Sequence, residues 1–170
     1  IPKRDATSIA LLRSHGAVLV GKCNLYEFAY GAPNPTYGPT RNPWNLEHSC
    51  GGSSSGSAAA VAAGLCHASL GTDTGGSIRI PSAFNNLVGV KPTRGLVSAR
   101  GVVPACRSLD CVSVFALTVD DAFTVLQMRG NRDAGNIGQG RDIGQRLSDT
   151  VADDRFQVQL PAVGRQHRGV

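Results

Sequence analysis

Metal-ligand patterns, lysines and long apolar runs are all scarce in this 170-residue sequence. Its five cysteines include no Cys-x-x-Cys pair, and its four histidines are scattered without metal-ligand spacing. We therefore expect reduced thiols, no bound metal and a cytoplasmic location. The longest apolar stretch, residues 58–66, is far too short to span a bilayer, so we expect no membrane partner.

The charge of the chain is basic but unpatterned. Its formal net charge is +5, and arginine supplies the excess because Lys3, Lys22 and Lys91 are the only lysines. Since no Lys/Arg run and no basic–aromatic interleaving occurs, we expect no direct contact with nucleic acid. A hydrophobic content of 41% is that of a globular protein, and the length suits one domain.

Helical patterns alternate with short apolar runs through the first 128 residues, an order typical of α/β proteins. Asp5 is placed to cap a helix that extends to about His15, with Gly16 at its C′ position. The apolar residues 17–20 predict a buried strand. Residues 31–52, rich in Gly, Pro and Asn, predict a long irregular loop.

Later segments continue the alternation of helices and strands. Asp120 or Asp121 is placed to cap a last helix that runs to about Met128. Ser77 is expected in a turn. The other predicted elements are helices over 57–65 and 81–86 and strands over 68–72, 88–90 and 113–117.

The composition changes after Arg129, where Gly, Gln, Asp and Arg dominate and Phe156 is the single aromatic residue. We therefore divide the chain into a folded domain, residues 1–128, and a polar tail, residues 129–170. The tail is expected to be disordered or foreign to the domain, with one weak strand over residues 157–160.

Two familiar motifs match this sequence only formally. Residues 16–23 fit the phosphate-binding pattern GxxxxGK[ST], but their inner part is predicted to be a strand and Cys23 replaces the required hydroxyl residue. Residues 52–56 fit GxSxG, which needs a preceding strand and a later Asp and His. A Pro- and Asn-rich loop precedes them, and only His67 and His167 follow, so a Ser-His-Asp enzyme is disfavoured.

Two glycine–serine segments carry the strongest indication of chemistry: residues 51–57, GGSSSGS, and residues 73–77, DTGGS. A flexible linker does not explain them, because an Ala-rich helix, a strand and a second Gly-Gly-Ser follow the first segment directly. Glycine allows backbone conformations that are closed to other residues, so successive N–H groups can converge on one point. Such amides stabilise the oxyanion of an acyl transfer to serine.

These segments resemble those of the amidase signature family, and so do residues 20–29, 39–44 and 89–95. The match runs over about residues 5–128 in the order of the family. It implies an α/β fold with a mixed β-sheet covered by helices, here incomplete, and makes residues 1–128 a partial amidase-signature domain. The resemblance also implies hydrolysis of a small carboxamide through a serine acyl-enzyme, without metal or cofactor.

The resemblance assigns roles to residues of both segments. Ser77 matches the nucleophile, and Ser53 matches a bridging serine with a cis peptide bond that relays the proton of Ser77 to a lysine. Ser54 is expected to support the site, and Asp73 and Arg79 to pair and brace the turn. The amides expected to form the oxyanion hole are those of Thr74, Gly75, Gly76 and Ser77.

The lysine of the family has no counterpart among the three lysines of this sequence. In the family it lies on a strand upstream of the helix that matches residues 5–15, whereas Lys3 directly precedes that helix. Lys22 and Lys91 belong to later motifs. We interpret the chain as a central fragment or a truncated homologue, and an inactive fragment that has lost the chemistry is the alternative from another class.

The indications of substrate are mixed. Ser55, which replaces a common glycine, and residues 101–113 resemble allophanate hydrolases. Residues 26–31 and 39–44 instead resemble general amidases and the glutaminase-like component of the amidotransferase that acts on misacylated tRNA. We expect a small-molecule amide as the substrate, and either a homodimer or a larger multidomain parent as the assembly.

Overall fold

A four-stranded antiparallel sheet organises the computed structural model, which describes residues 3–129 and 156–159. The helices are α1 (Thr7–Ser14), α2 (Ser55–Ala62), α3 (Arg79–Phe84) and α4 (Val119–Arg129). The strands are β1 (Arg41–Asn42), β2 (Asn45–Ser49), β3 (Ala68–Asp73), β4 (Val88–Pro92), β5 (Cys111–Ala116) and β6 (Phe156–Gln159). The sheet has the order β3-β5-β4-β6, and β1 and β2 form a separate antiparallel pair. Among the described residues, no strand pair is parallel as a mixed sheet requires.

Helices cover both faces of the sheet because apolar residues alternate along its strands. On one face, Val114 of β5 and its neighbours form a cluster with Ala122 and Leu126 of α4. On the other face, Phe115 packs with Val61 of α2 and with Ile78, just before α3. The expected α/β fold class is therefore confirmed, and the glycine–serine segments lie on the face covered by α2 and α3.

Most predicted elements occur within a few residues of their expected bounds. Gly16 takes the expected C′ position after α1, with a φ of +86°, but the predicted N-caps are wrong. Asp5 does not cap α1; its carboxylate pairs with Arg13 at 2.9 Å. Helix α4 is capped by Thr118, whose hydroxyl oxygen accepts the N–H of Asp121 at 3.1 Å, so Asp120 and Asp121 lie in the first turn. Asp and Thr are both common N-cap residues, so the sequence alone does not choose among Thr118, Asp120 and Asp121. The choice depends on where the chain leaves β5.

Two predictions about the first 52 residues are also wrong. Residues 17–20 form no strand, and Val18 and Val20 are 84% and 76% exposed, because no described strand pairs with them. The expected irregular loop contains the β1–β2 hairpin. Its Trp44 donates from Nε1 to the Asn85 carbonyl at 2.8 Å, and Asn42 donates from Nδ2 to the Phe84 carbonyl at 2.8 Å. The hairpin is thus fixed against the end of α3.

The predicted tail, residues 129–170, lies outside the described residues except at Arg129, where α4 ends, and at 156–159. There β6 pairs antiparallel with β4, with Val90 opposite Val158, close to the weak strand expected over 157–160. Disorder or a foreign origin of residues 129–170 stays a prediction. None of the helices in the described ranges is long and apolar enough to cross a membrane.

Candidate active site

The first serine segment is held by an aromatic residue that sequence reasoning missed. The N–H of Tyr26 donates to the carbonyl of Ser53 at 3.0 Å. The ring of Tyr26 lies so close to Gly52 that a Cβ there would come within 2.7 Å of its carbons. The peptide bond between Gly52 and Ser53 is cis, and Ser53 is buried. No spacing in the sequence links Tyr26 to these residues, since the contact arises only from the fold.

The hydroxyl groups that follow Ser53 bind the edge of β3. Ser54 Oγ donates to the Thr72 carbonyl and accepts the Thr72 N–H, both at 3.3 Å. Ser57 Oγ donates to the Leu70 carbonyl at 2.7 Å, and Ser69 Oγ donates to the Ser57 carbonyl at 2.7 Å. Ser54, the central serine of the GxSxG match, therefore anchors α2 to the sheet and is already engaged with backbone.

The second segment turns around the buried carboxylate of Asp73. This carboxylate accepts the N–H of Gly76 at 2.9 Å and that of Ile78 at 3.1 Å. Arg79 donates to it from Nε at 3.2 Å and from Nη2 at 3.1 Å, so the expected pair is confirmed. Burial alone would raise the pKa of Asp73, but the bonds from Arg79 and Ile78 outweigh it and lower the pKa below its usual value.

Three of the four expected oxyanion-hole amides are available in this turn. The Gly76 N–H is directed to Asp73, and its φ of +133° is one that favours glycine. The N–H groups of Thr74, Gly75 and Ser77 form no hydrogen bond within the described ranges. A Cβ on Gly75 would meet nothing within 4 Å, so a substrate carbonyl can approach the backbone there.

The fold places the first serine segment against the two elements that flank the Asp73 turn, β3 and α3. Ser54 binds the end of β3, as above, and a Cβ on Gly51 would lie 3.2 Å from Cα of Pro81 in α3. Ser53 therefore lies in a segment that contacts both elements flanking Ser77, which is half-buried. No hydrogen bond joins the hydroxyls of Ser53 and Ser77 in the described part of the chain.

Neither a lysine nor a metal cluster completes this site. Lys3 precedes α1, Lys22 is exposed and Lys91 lies in β4, so none belongs to the two serine segments. Across residues 3–129 and 156–159, His, Cys, Asp and Glu side chains form no group of three that could hold a metal ion. The groups that the site offers for chemistry are two serine hydroxyls, the backbone amides of a glycine-rich turn and a carboxylate that is paired with an arginine.

The chain matches a family model and is similar to several known proteins. The family model described as Amidase matches residues 1–155. Urea amidolyase of Saccharomyces cerevisiae is 54% identical over 123 residues, which are 71% of this chain and 7% of that protein. The A subunit of glutamyl-tRNA(Gln) amidotransferase from Anaeromyxobacter sp. strain K is 55% identical over 135 residues, 78% of this chain and 27% of that one.

Solved structures give the same result. Allophanate hydrolase of Kluyveromyces lactis matches with a TM-score of 0.75 and 49% identity, over 84% of this chain and 24% of that one. The A subunit of glutamyl-tRNA(Gln) amidotransferase from Thermotoga maritima matches with a TM-score of 0.73 and 46% identity, over 82% and 31%. The chain spans less than a third of the length of each of these relatives.

Proposed function

This chain belongs to the amidase signature family, and on that premise we propose that it forms the serine core of an enzyme that hydrolyses the C–N bond of a small carboxamide. One observation carries the proposal. The buried carboxylate of Asp73, paired with Arg79, holds a turn that leaves the amides of Thr74, Gly75 and Ser77 open beside the Ser77 hydroxyl. This is the arrangement that an acyl transfer to serine requires.

In the proposed reaction, Ser77 Oγ attacks the carbonyl carbon of the amide. Its proton passes to Ser53 Oγ, while Ser53 passes its own proton to the family's lysine, which none of Lys3, Lys22 and Lys91 matches. The C–N bond then breaks, the amine leaves with that proton, and water hydrolyses the acyl-enzyme by the same steps in reverse order.

The backbone of the turn stabilises the charge that develops on the carbonyl oxygen. The proposed donors are the free amides, whereas the N–H of Gly76 serves to hold the turn against Asp73. Losing one donor of this kind typically costs about 3–4 kcal/mol in the transition state. Asp73 and Arg79 act through the turn rather than on the substrate, and Ser54 acts as an anchor to β3.

Allophanate is the substrate that we propose first, because urea amidolyase and allophanate hydrolase are among the similar proteins and residues 101–113 resemble that group. Glutamine is the second candidate, favoured by the equally high identity to the A subunit of an amidotransferase.

A larger multidomain polypeptide or a homodimer would supply the remaining parts of the enzyme. The free state of all five cysteines supports the proposed cytoplasmic location.

Ammonia release from allophanate, glutamine and simple carboxamides tests the function, using protein expressed from the complete coding sequence. We expect S77A and S53A to lower the rate by about a thousandfold or more, because serine relays are strongly cooperative. S14A, which removes an exposed hydroxyl at the end of α1, is the matched control and should leave the rate unchanged.

Three outcomes would contradict parts of this proposal. Activity that survives S77A but is lost in S54A would favour the GxSxG motif instead. A folded wild-type protein that hydrolyses no amide would favour an inactive homologue. Hydrolysis of glutamine but not allophanate would select the amidotransferase-like function.

A further inference from the structure

A second carboxylate, that of Asp110, also contacts the glycine-rich turn. The Thr74 hydroxyl donates to Asp110 Oδ1 at 2.5 Å. Both residues are half-buried and lie at strand ends, Thr74 directly after β3 and Asp110 directly before β5. The last paired residues of β3 and β5 are Asp73 and Cys111, so Thr74 and Asp110 occupy the next position along the two strands. A short hydrogen bond from a hydroxyl to a carboxylate is among the stronger kinds in proteins.

Asp110 is itself fixed by the loop that precedes it. Its Oδ2 accepts the N–H of Ala105 at 2.9 Å, and the N–H of Cys106 lies 3.0 Å from each carboxylate oxygen. The N–H groups of Leu109 and Asp110 return to the Cys106 carbonyl at 3.0 and 2.9 Å. Residues 105–110 therefore form a closed loop around this carboxylate, and Thr74 is its contact outside the loop.

The contact between Thr74 and Asp110 holds the first half of the turn, residues 74–75, to which Asp73 forms no hydrogen bond in the described ranges. The bonds of Asp73 go to Gly76, Ile78 and Arg79, all in the later half. Gly75 has no side chain, no hydrogen bond in the described ranges and open space on its Cβ side. The hydroxyl of Thr74 is therefore the side-chain contact that holds this half of the turn among the described residues.

We propose that Asp110 is a positioning residue, which aims the amides of Thr74 and Gly75 at the oxyanion by holding the Thr74 side chain. This inference rests on the proposed function, because it assigns a purpose to those amides. Donor positions matter at the scale of an ångström, since a misplacement of that size lowers a rate by up to about a hundredfold. Asp110 thereby supports the active site from outside the two serine segments.

The rate of reaction with a fluorophosphonate probe tests this role in the protein made from the complete coding sequence. The probe forms a P–O bond to the serine and releases fluoride, and saturation kinetics separate the maximal rate, kinact, from the binding constant, KI. We expect T74V, which removes the hydroxyl, to lower kinact by about tenfold to a hundredfold with KI nearly unchanged. T74S keeps the hydroxyl and should restore kinact.

Two further variants separate positioning from a general structural effect. S108A removes an exposed hydroxyl of the same loop and should leave kinact unchanged, because within the described ranges this hydroxyl contacts Cys106 Sγ and not the turn. Adding D110N to T74V should lower kinact little further, because the contact is already broken. Independent, additive losses would overturn the inference, as would a T74V protein that reacts like the wild type.

The inference and the proposed function fail in different ways. If S77A abolishes labelling but T74V labels normally, only the positioning role is overturned. If the wild type is not labelled, or if S77A is labelled as fast as the wild type, the proposed function fails and the inference falls with it. A T74V protein with an altered KI and a normal kinact would also contradict positioning, since the contact would then act on probe binding.

Discussion

Asp73 has no exposed side-chain surface, yet it carries a negative charge at the centre of the candidate site. The charge is tolerated because Arg79 and three backbone amides donate to it. Its pKa is therefore held below the usual value despite burial, which alone would raise it. A carboxylate with a lowered folded-state pKa stabilises the fold fully above its unfolded pKa and loses that contribution in acid.

The substitution D73N should destabilise the protein by about 2–3 kcal/mol at neutral pH, since a neutral amide satisfies these donors poorly. The difference in free energy of unfolding between D73N and wild type should narrow in acid. It should begin to narrow as the pH falls below 3.8, the pKa of Asp73 in the unfolded chain, and continue through the lowered pKa of the folded state. Urea denaturation at a series of pH values measures it. D5N, which breaks an exposed ion pair with Arg13, is the control and should change stability by less than about 1 kcal/mol. A difference for D73N that stays constant into acid would contradict the lowered pKa.

At the scale of elements, the start of α2 packs too tightly against Asn24 for a side chain at Gly56. The N–H of Gly56, at the start of α2, donates to the Asn24 carbonyl at 2.9 Å. A Cβ on Gly56 would lie 2.4 Å from that carbonyl oxygen and 2.8 Å from the Asn24 nitrogen. Both atoms are backbone, so neither can move aside cheaply.

G56A should therefore destabilise the fold by about 2–3 kcal/mol, as overpacking does in a closed contact. G21A is the matched control, because a Cβ there meets nothing within 4 Å and its backbone is not left-handed. Thermal unfolding followed by circular dichroism compares the two. Equal midpoints for G56A and G21A would show that residues 23–24 do not pack on α2 as described.

The sequence predicts elements well where apolar alternation or an Ala-rich run marks them, as in β3, β5 and α2. It fails where tertiary contacts decide. The β1–β2 hairpin escapes prediction because all five residues of β2 are exposed and show no alternation. Residues 17–20 are the opposite case, because their apolar pattern predicts a strand that does not form. A buried strand needs a partner strand, and none of the described strands pairs with these residues.

The same limit applies to the candidate site. The glycine–serine motifs locate Ser53, Ser77 and the Asp73–Arg79 pair, because the residues of each segment are close in sequence. They do not reveal that Gly76 donates to Asp73, or that Tyr26 and Asp110 support the two segments from 27 and 36 positions away. The Asp110 contact, for example, forms only where β3 and β5 have paired.

At the scale of the whole molecule, the candidate site occupies one edge of a sheet whose described strands all run antiparallel. The proposed nucleophile, the proposed bridging serine and the proposed oxyanion amides all come from one continuous stretch, residues 51–79, which lies within the residues that match the family model. We propose that substrate choice depends on surfaces outside this stretch.

Mapping the covalent adduct of a fluorophosphonate tests most directly whether Ser77 is the nucleophile. Trypsin releases Ser53, Ser54 and Ser77 in one peptide, residues 42–79, so tandem mass spectrometry must locate the added phosphonyl group within it. We expect the group on Ser77, with no labelling of S77A. A phosphonyl group on Ser54, or labelling that persists in S77A, would contradict the proposed mechanism.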